Sequence, residues 1–163
     1  MTTTDRARTA LPIPSIVHTL NPLVRRLLRI GLPMGPNALL TVRGRTSGQP
    51  RTFPITPLEA NGRRYVFAAF GDVNWVHNLR AAGTGTLQRG RRREAVTAIE
   101  LTPDEAAAIL KIGLEAALKL KLVGSMIGSW YGVTAGSTPA DYLESARIHT
   151  CFELRPQAAA SAA

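Results

Sequence analysis

The stretch RTFPITPLEANGRRYVFAAF, residues 51–70, is the segment that decides the fold. Asn61-Gly62 stands between two extended apolar runs, and this dipeptide is the strongest short-range signal for a tight β-hairpin. Pro54 and Pro57 mark the run before the turn as an edge or bulged strand. Tyr65–Phe70 then predicts a buried strand. The segment therefore predicts antiparallel pairing.

Short extended runs and helical segments follow one another outward from this hairpin, and no βαβ unit recurs. The further predicted strands are Asn37–Val42, Thr84–Gln88, Glu94–Leu101 and Arg147–Leu154. The predicted helices are Asn74–Ala82, one that runs from Thr102 towards Leu122, and a short one that begins in Ser137–Asp141. Gly124–Gly136 is rich in glycine and is expected to be irregular. The pattern argues against a Rossmann domain and predicts an α+β domain on a small, closed antiparallel sheet with flanking helices.

Length and composition predict one domain in a reducing compartment. The chain has 163 residues, 45% of them hydrophobic, which suits a single core. Its single cysteine, Cys151, excludes an intrachain disulfide framework and is expected to be a buried strand residue. The sequence shows no secretory signal and no membrane span, so we expect the protein in the cytoplasm. We expect disorder in residues 1–12 and 156–163, with the domain formed by residues 13–155.

The net charge of +9 predicts an anionic partner, which could be a phosphate group, a nucleic acid or an anionic membrane. Residues 14–31 form a basic segment with leucines at helical spacing and with Arg25, Arg26 and Arg29 on the other side. Such a helix either packs on the domain or lies on the inner face of an anionic membrane. Arg89–Arg93 is a second basic segment, at a predicted turn. No recognised nucleic-acid motif accompanies either segment.

The segment Val42–Arg51, VRGRTSGQPR, holds the richest local chemistry. Gly44 and Gly48 allow a tight turn in which backbone N–H groups can approach a ligand. Three arginines surround this turn, and guanidinium groups are preferred for bidentate contacts to phosphate and carboxylate. The segment has neither the Walker A pattern nor the Gly-x-Gly-x-x-Gly fingerprint. It is therefore either an anion-binding loop or a solvated basic hairpin.

Two segments together resemble a known family. Gly44–Arg51, GRTSGQPR, is similar to the Gly-Arg-Lys/Thr-Ser/Thr-Gly-x-Pro-Arg signature of deazaflavin-dependent nitroreductases. Asn74–Gly83, NWVHNLRAAG, resembles that family's Trp-x-x-Asn-Leu-Arg/Lys-Ala segment. The two segments occur in the family's order, and the resemblance covers roughly residues 37–101 well. It implies a split β-barrel that binds coenzyme F420, a deazaflavin whose phospholactyl-polyglutamate tail is anionic throughout.

The resemblance also implies which residues contact the cofactor. The loop would bind the phosphate and glutamyl carboxylates, the strands of the hairpin would line the deazaflavin ring, and the following helix would close the pocket. The implied cofactor-binding residues are Arg45, Thr46, Ser47, Gln49, Pro50, Arg51, Thr52, Phe53, Pro54, Ala68, Ala69, Phe70, Trp75, Asn78 and Arg80. Arg80 is the weaker candidate for the acidic tail. No metal site is expected.

The activity implied is the transfer of hydride from reduced F420 to a small acceptor. The apolar helix after Thr102 suggests an apolar acceptor, such as a quinone or a nitro compound. Tyr131 is the candidate proton donor, and Tyr131 and Tyr142 are what remains of the family's tyrosine-rich acceptor wall. The loop Phe70–Asn74 is shorter than in better-known members, and Asp72 brings a negative charge near the anion site.

Three other functions stay open at this point. A non-catalytic F420 carrier would bind the cofactor and turn over no acceptor. An FMN-binding split barrel would share the fold, although a single phosphate needs fewer arginines. A nucleic-acid or membrane-surface binder would use the basic helix and the Arg89–Arg93 turn, with steep salt dependence. The protein is expected to be a monomer or a homodimer.

Overall fold

The computed structural model describes residues 37–157 of the chain. The amphipathic helix predicted at residues 14–31 lies outside that range, so the helix and its membrane contact stay predictions. The disorder expected in residues 1–12 and 156–163 also lies outside that range, except that Pro156 is the last residue of a strand and Gln157 follows it. No helix within residues 37–157 is long and apolar enough to cross a bilayer.

Seven strands of the described chain form one antiparallel sheet that curls into a half-barrel. The strands are β1 (Ala38–Arg43), β2 (Pro50–Ile55), β3 (Leu58–Ala60), β4 (Arg63–Phe67), β5 (Thr84–Arg89), β6 (Arg92–Glu100) and β7 (Cys151–Pro156). Their order across the sheet is β2-β1-β5-β6-β7-β4-β3, and each neighbouring pair is antiparallel. The expected α+β fold with a split antiparallel barrel is confirmed.

The hairpin predicted at Asn61-Gly62 joins β3 to β4, with Leu58 paired to Tyr65. Asn61 has a φ of 52° and Gly62 a φ of 70°. Positive φ values at both central residues are those of the tight turn whose twist matches the flanking strands. The other side of β4 pairs with β7, which brings the end of the chain back to this hairpin.

Four helices of the described chain pack on this sheet: α1 (Asn74–Ala82), α2 (Pro103–Leu118), α3 (Lys121–Tyr131) and α4 (Pro139–Ile148). The start of α2 follows the sequence prediction, because Thr102 and Glu105 form a reciprocal capping box. Thr138 and Asp141 form the same box at the start of α4. Both helices also begin with proline, whose missing N–H costs no helical hydrogen bond at that position.

The prediction that Gly124–Gly136 is irregular was wrong, because α3 occupies most of this segment. Gly124 and Gly128 lie four residues apart and therefore on one face of the helix. A Cβ at Gly124 would stand 2.5 Å from the carbonyl oxygen of Leu118, and one at Gly128 would stand 2.5 Å from that of Val133. The glycines thus let α3 pack closely against the chain before and after it, which outweighs their low helix propensity.

Two strand boundaries also differ from the sequence prediction. β7 begins at Cys151 rather than at Arg147, because α4 continues to Ile148. β4 ends at Phe67 rather than at Phe70, because the chain turns there towards α1. Apolar residues continue past the end of β4, and polar and apolar residues alternate before β7, so hydrophobicity alone did not mark either boundary.

The hydrophobic core lies on both faces of the sheet. One cluster joins the sheet to α1 through side chains such as Leu40, Val76 and Leu79. The other joins β4 and β7 to α2 and α4 through side chains such as Leu110 and Tyr142, and α3 packs against it. The two clusters fix the helices against the sheet, and with them the walls of the cavity described next.

Candidate active site

A cavity of about 630 Å³ lies between the sheet and helices α1, α2 and α3. This volume is within the usual range of cofactor and ligand sites. Seven of the residues proposed from the sequence line it: Phe53, Pro54, Ala68, Ala69, Phe70, Trp75 and Tyr131. The middle of β2, the segment after β4 and the start of α1 therefore meet at one place.

Apart from Tyr131, the sequence reasoning named no residue of the opposite wall of the cavity. The rest of that wall comes from α2 and α3 and consists of Leu110, Gly113, Leu114, Ala117, Ile127 and Trp130. A signal existed for α2, whose surface is apolar outside the stripe of Lys111, Glu115 and Lys119. No signal existed for α3, because its glycines concealed the helix. Gly113 brings α2 close to β3, since a Cβ there would stand 2.0 Å from a methyl group of Leu58.

Aromatic side chains hold the cavity walls in place. The rings of Phe70 and Trp130 meet edge to face with centroids 5.6 Å apart, which connects the segment after β4 to α3. Trp75 packs on Phe152 with centroids 6.1 Å apart, so its ring is held against the sheet. Such pairs add about 0.5–1.5 kcal/mol each beyond the area that they bury. Trp75 therefore both lines the cavity and anchors α1.

The loop between β1 and β2 forms a compact turn beside the cavity strand β2. Gly44 donates its N–H to the Gln49 carbonyl at 2.9 Å, and Gly48 donates to the Gly44 carbonyl at 2.8 Å. A Cβ at Gly44 would meet Ser47 Oγ at 3.0 Å and Arg51 Cγ at 3.4 Å. Gly48 has a φ of 66°, a backbone conformation that residues with a side chain rarely adopt. The turn thus favours glycine at both positions, through close packing at Gly44 and through backbone conformation at Gly48.

Asn78 ties this loop to α1. Its side-chain oxygen accepts hydrogen bonds from the backbone N–H and the guanidinium Nη1 of Arg45, both at 3.2 Å. Asn78 is only 6% exposed, so it lies beneath the loop. Trp75 stands one helical turn before it and lines the cavity. Helix α1 therefore sets the distance between the loop and the cavity.

The loop arginines carry positive charge that the described chain does not compensate. Among residues 37–157, no carboxylate lies within ion-pair distance of Arg43, Arg45 or Arg51. All three are exposed. Guanidinium groups gathered on one turn repel each other, and an anion bound between them relieves the repulsion. The loop is therefore suited to phosphate or clustered carboxylates.

Arg80 and Asp72 do not belong to this uncompensated charge. Arg80 donates to both carboxylate oxygens of Glu100, at 2.7 and 2.8 Å, and to Asp72 at 3.1 Å. Its contacts with Glu100 and then Asp72 raise the pKa of Arg80. Asp72 also accepts a hydrogen bond from Thr150 at 2.5 Å. Arg80 is thus already engaged with two carboxylates, and the negative charge expected to oppose an anion at Asp72 is offset.

The other residues proposed from the sequence lie on the loop or on the part of β2 next to it. Thr46 is exposed on the loop, Pro50 is exposed at the start of β2, and the hydroxyl of Thr52 is hydrogen-bonded across to β1. A strand rises about 3.3 Å per residue, so Arg51 and the cavity residue Phe53 are roughly 7 Å apart along β2. A ligand with a flat ring and an anionic tail can therefore extend from the cavity to the loop along this strand.

Tyr131 lies in the cavity wall at the end of α3. Its ring meets that of Phe67 edge to face at 6.2 Å and that of His149 at 4.9 Å. Burial, and to a smaller extent Cys151, raises the pKa of Tyr131 well above its usual value, so the hydroxyl stays protonated at neutral pH. Tyr142 instead packs in the core and does not line the cavity. The expected two-tyrosine wall is therefore reduced to Tyr131.

His149 is a buried residue that the sequence reasoning did not single out. It is 2% exposed, and its Nδ1 lies 2.8 Å from the Ser145 carbonyl. Burial lowers the pKa of His149. The available signal was its place in the apolar run Ile148–Leu154, where a polar side chain needs a partner. Cys151 in the same run is a buried strand residue, as expected, and burial raises the pKa of its thiol.

The chemistry of the site fits a flat cofactor with an anionic tail. The cavity offers apolar and aromatic walls to a ring, and the loop offers guanidinium groups and neutral donors to the tail. In the part of the chain that the structure describes, no group of three potential ligands could hold a metal ion. A split antiparallel barrel with these two features belongs to the class of flavin and deazaflavin oxidoreductases.

Sequence comparison identifies the family within that class. A family profile described as F420H(2)-dependent quinone reductase matches residues 24–118. The match covers more than half of the chain, and the chain therefore belongs to the F420H2-dependent quinone reductase family. The protein is thus an oxidoreductase, and its cofactor is coenzyme F420, as the resemblance of the two motifs implied.

Solved structures share the fold at low sequence identity. One, described as an F420-H2 dependent reductase (FDR-A), is 22% identical with a TM-score of 0.51, over 74% of this chain and 94% of that chain. Another, described as a domain-swapped dimer, is 22% identical with a TM-score of 0.51, over 88% of this chain and 100% of that chain. At these identities the similarity shows the fold alone. No curated protein matches the sequence.

Proposed function

We propose that this protein transfers hydride from reduced F420 to a small, apolar acceptor such as a quinone or a nitro compound. The observation that carries the proposal is the continuity along β2 between the apolar cavity and the uncompensated cationic loop. When bound, reduced F420 supplies a hydride from its ring carbon. The residues of the chain supply binding, orientation and the exclusion of water.

The loop binds the anionic tail in this proposal. Arg45 and Arg51 provide the charge, and Thr46, Ser47 and Gln49 add neutral polar groups on the same turn. Asn78 holds Arg45 in place through its two hydrogen bonds. A hydrogen bond to a charged group contributes about 1.5–3 kcal/mol, so two arginines suffice for a firm grip on phosphate and glutamyl groups. Arg80 is left out, because Glu100 and Asp72 occupy its guanidinium group.

The deazaflavin ring lies in the half of the cavity formed by the sheet. Phe53 and Pro54 of β2 provide one edge, and Trp75 of α1 provides another. Ala68 and Ala69 carry small side chains, so the ring can approach the backbone there. This arrangement leaves the wall formed by α2 and α3 facing the opposite side of the cavity.

That remaining wall selects an apolar acceptor. Side chains such as Leu114, Ile127 and Trp130 line it, and none of its residues is charged. A charged acceptor would lose its hydration there without gaining a partner, which costs several kcal/mol. A carrier that only binds F420 needs no apolar space for an acceptor beside the deazaflavin ring. The wall therefore supports turnover of a quinone or an apolar nitro compound.

Tyr131 acts on the acceptor as a hydrogen-bond donor. An efficient proton donor has a pKa near the working pH, whereas burial raises the pKa of Tyr131 far above it. A protonated hydroxyl in an apolar wall still stabilises negative charge that develops on an acceptor oxygen. The role proposed for Tyr131 is therefore stabilisation of that charge.

Anaerobic turnover tests the proposed function. Reduced F420 is mixed with the protein and with benzoquinones, naphthoquinones or nitroaromatic compounds, and reoxidation is followed through the recovery of F420 absorbance. We expect kcat/KM to rise with the apolar surface of the quinone. A hydrophilic quinone of similar potential is the matched control. Reoxidation no faster than without protein, for every acceptor, would contradict the proposal.

A further inference from the structure

His149 is a buried group beside the site that the proposed function does not use. Its side chain lies behind the cavity wall, at the junction of α4 and β7. Its Nε2 atom is buried and has no hydrogen-bond partner among residues 37–157. An unpaired buried polar atom costs about 1–3 kcal/mol, so its place behind an active-site wall needs an explanation.

The hydrogen bonds of Ser145 fix which nitrogen of His149 carries the proton. The Ser145 hydroxyl donates its single proton to the carbonyl oxygen of Tyr131 at 2.6 Å. The Ser145 carbonyl oxygen, which can only accept, lies 2.8 Å from His149 Nδ1. Nδ1 is therefore the donor, and the neutral ring has its hydrogen on Nδ1 and a lone pair on Nε2.

The same group of residues holds Tyr131 from two directions. The imidazole of His149 packs against the phenol ring with centroids 4.9 Å apart, and Phe67 packs against that ring at 6.2 Å. The backbone of Tyr131 is held by the Ser145 hydroxyl. His149 therefore fixes Tyr131 by direct ring contact and, through Ser145, by a chain of hydrogen bonds.

We propose that His149 is the positioning residue for the Tyr131 wall of the cavity and that protonation at Nε2 changes this wall. The inference rests on the proposed function, which assigns Tyr131 to the acceptor. When the ring of His149 is neutral, only its contacts with Tyr131 and Ser145 hold the wall. In the charged ring Nε2 becomes a donor, and the backbone of Trp130 and Ala69 favours this form. Both of those residues line the cavity, so protonation draws its walls together.

Other titratable groups around His149 do not change charge in the same pH range. Tyr131 on α3 and Cys151 on β7 both have a pKa raised by burial, so they stay neutral. Asp72, from the segment before α1, is bonded to Thr150 and to an arginine. Burial lowers the pKa of His149, so its protonation falls below the ordinary value of about 6.5.

Tryptophan fluorescence tests this titration in the free protein, without cofactor or acceptor. The protein has two tryptophans, Trp75 and Trp130, and both line the cavity. We expect their emission to change as the pH falls below about 6.5. His149→Asn and His149→Phe should abolish the change, whereas His77→Asn on α1 should leave it intact. A transition that survives in both His149 variants would overturn the proposal.

Nitrogen NMR of protein labelled at histidine gives a second readout of the free protein. We expect His149 to show the Nδ1–H tautomer at neutral pH and to gain its second proton on Nε2 as the pH falls. Ser145→Ala should leave the Nδ1–H tautomer of His149 in place, because the carbonyl oxygen that accepts from Nδ1 belongs to the backbone. An Nε2–H tautomer in the wild-type protein would contradict the proposed geometry.

Steady-state kinetics with a quinone separate positioning from packing. His149→Phe keeps a ring without a donor, and His149→Asn keeps a donor near the Nδ1 position without the ring. We expect either change to raise the KM for the quinone roughly three- to tenfold, since each removes one of the two contacts by which His149 holds Tyr131, with the Kd for F420 within about twofold. Only wild type and His77→Asn should show a KM that changes below about pH 6.5.

An unchanged KM and pH profile in His149→Phe would overturn the positioning role. If no quinone turned over with any variant, the proposed function would fail. The fluorescence and nitrogen titrations would then still decide the role of His149, because neither requires a reaction.

Discussion

The site has a loop end, which is the turn between β1 and β2, and a helical end, which is the cavity wall formed by α2 and α3. These two ends are built in opposite ways. At the loop end, short-range backbone bonds around Gly44 and Gly48 place exposed arginines on one turn. At the helical end, α2 and α3 come from the second half of the chain and meet the sheet through side chains such as Leu114 and Ile127. In the proposed function, one end binds through charge and the other through the exclusion of water. The difference predicts that cofactor affinity and acceptor choice can be changed separately.

Salt distinguishes the two ends. Exposed charges are screened within about 8–10 Å at ordinary ionic strength, so the grip of the loop on an anionic tail weakens as salt rises. Burial of apolar surface has no such dependence on moderate salt. Substitutions at one end should therefore leave binding at the other end unchanged.

Reversal of the charge on the loop should weaken the binding of F420 more than any other change. In Arg45→Glu/Arg51→Glu, we expect the Kd for F420 to rise at least about 100-fold, since two charge-assisted contacts of about 1.5–3 kcal/mol each are replaced by repulsion. Fluorescence titration with oxidised F420 measures this change. The matched control is Arg91→Glu/Arg92→Glu, which alters the net charge equally in the exposed β5–β6 turn. Equal losses in both variants would show that the loop is not a specific site.

Truncation of Trp130 should alter the helical end alone. Trp130→Ala removes an apolar wall and the edge-to-face contact with Phe70. We expect the KM for an apolar quinone to rise about tenfold, the equivalent of about 1.4 kcal/mol, with the Kd for F420 within about twofold. Leu122→Ala, which changes an 88% exposed residue of α3, is the control and should match wild type. An unchanged KM in Trp130→Ala would remove the α3 wall from the acceptor site.

Substitution of Asn78, which connects the loop to α1, should have a smaller effect on the binding of F420. Asn78→Ala leaves the backbone and side chain of Arg45 without their shared acceptor. We expect the Kd for F420 to rise roughly three- to tenfold and the free energy of unfolding to fall by about 1–3 kcal/mol. Asn78→Asp keeps an acceptor oxygen and should retain more of the affinity. Wild-type affinity in Asn78→Ala would show that α1 does not orient the loop.

The smallest expected effect concerns pH. Because the pKa of His149 is lowered in the folded state, its contribution to stability is fully present above the unfolded value of about 6.5 and is lost as the pH falls towards the folded value. Glu94 and Glu153, whose ion pairs lower their pKa, lose their contributions in a more acidic range. The free energy of unfolding, measured with denaturant between about pH 5 and 7, should therefore change less with pH in His149→Asn than in wild type. Parallel curves would contradict the assignment.

The parts of this protein that could be predicted from sequence are those whose causes are local. The turn at Asn61-Gly62 and the capping box at Thr102 depend on residues next to them, and both are present. The strand of Tyr65 and the helix of Trp75 follow from nearby apolar patterns. These elements, taken together, account for the cofactor half of the cavity.

The parts that could not be predicted depend on contacts far apart in the chain. Helix α3 exists because Gly124 and Gly128 permit close packing, which no local pattern reveals. The resemblance implied Arg80 for the anionic tail, and its contact with Glu100, 20 residues away, could not be seen in the sequence. The unpaired Nε2 of His149 is likewise a property of the folded core. Most residues of the cavity wall formed by α2 and α3 could therefore not be named from the sequence.

The most direct test of the account is a titration of the wild-type protein with F420 and with the same deazaflavin lacking its phosphate and glutamates. If the loop holds the tail and the cavity holds the ring, F420 binds at least about 100-fold more tightly at low salt, and only its Kd rises steeply with salt. Equal affinity for the two compounds, or the same salt dependence for both, would contradict the division of the site into a charged end and an apolar end.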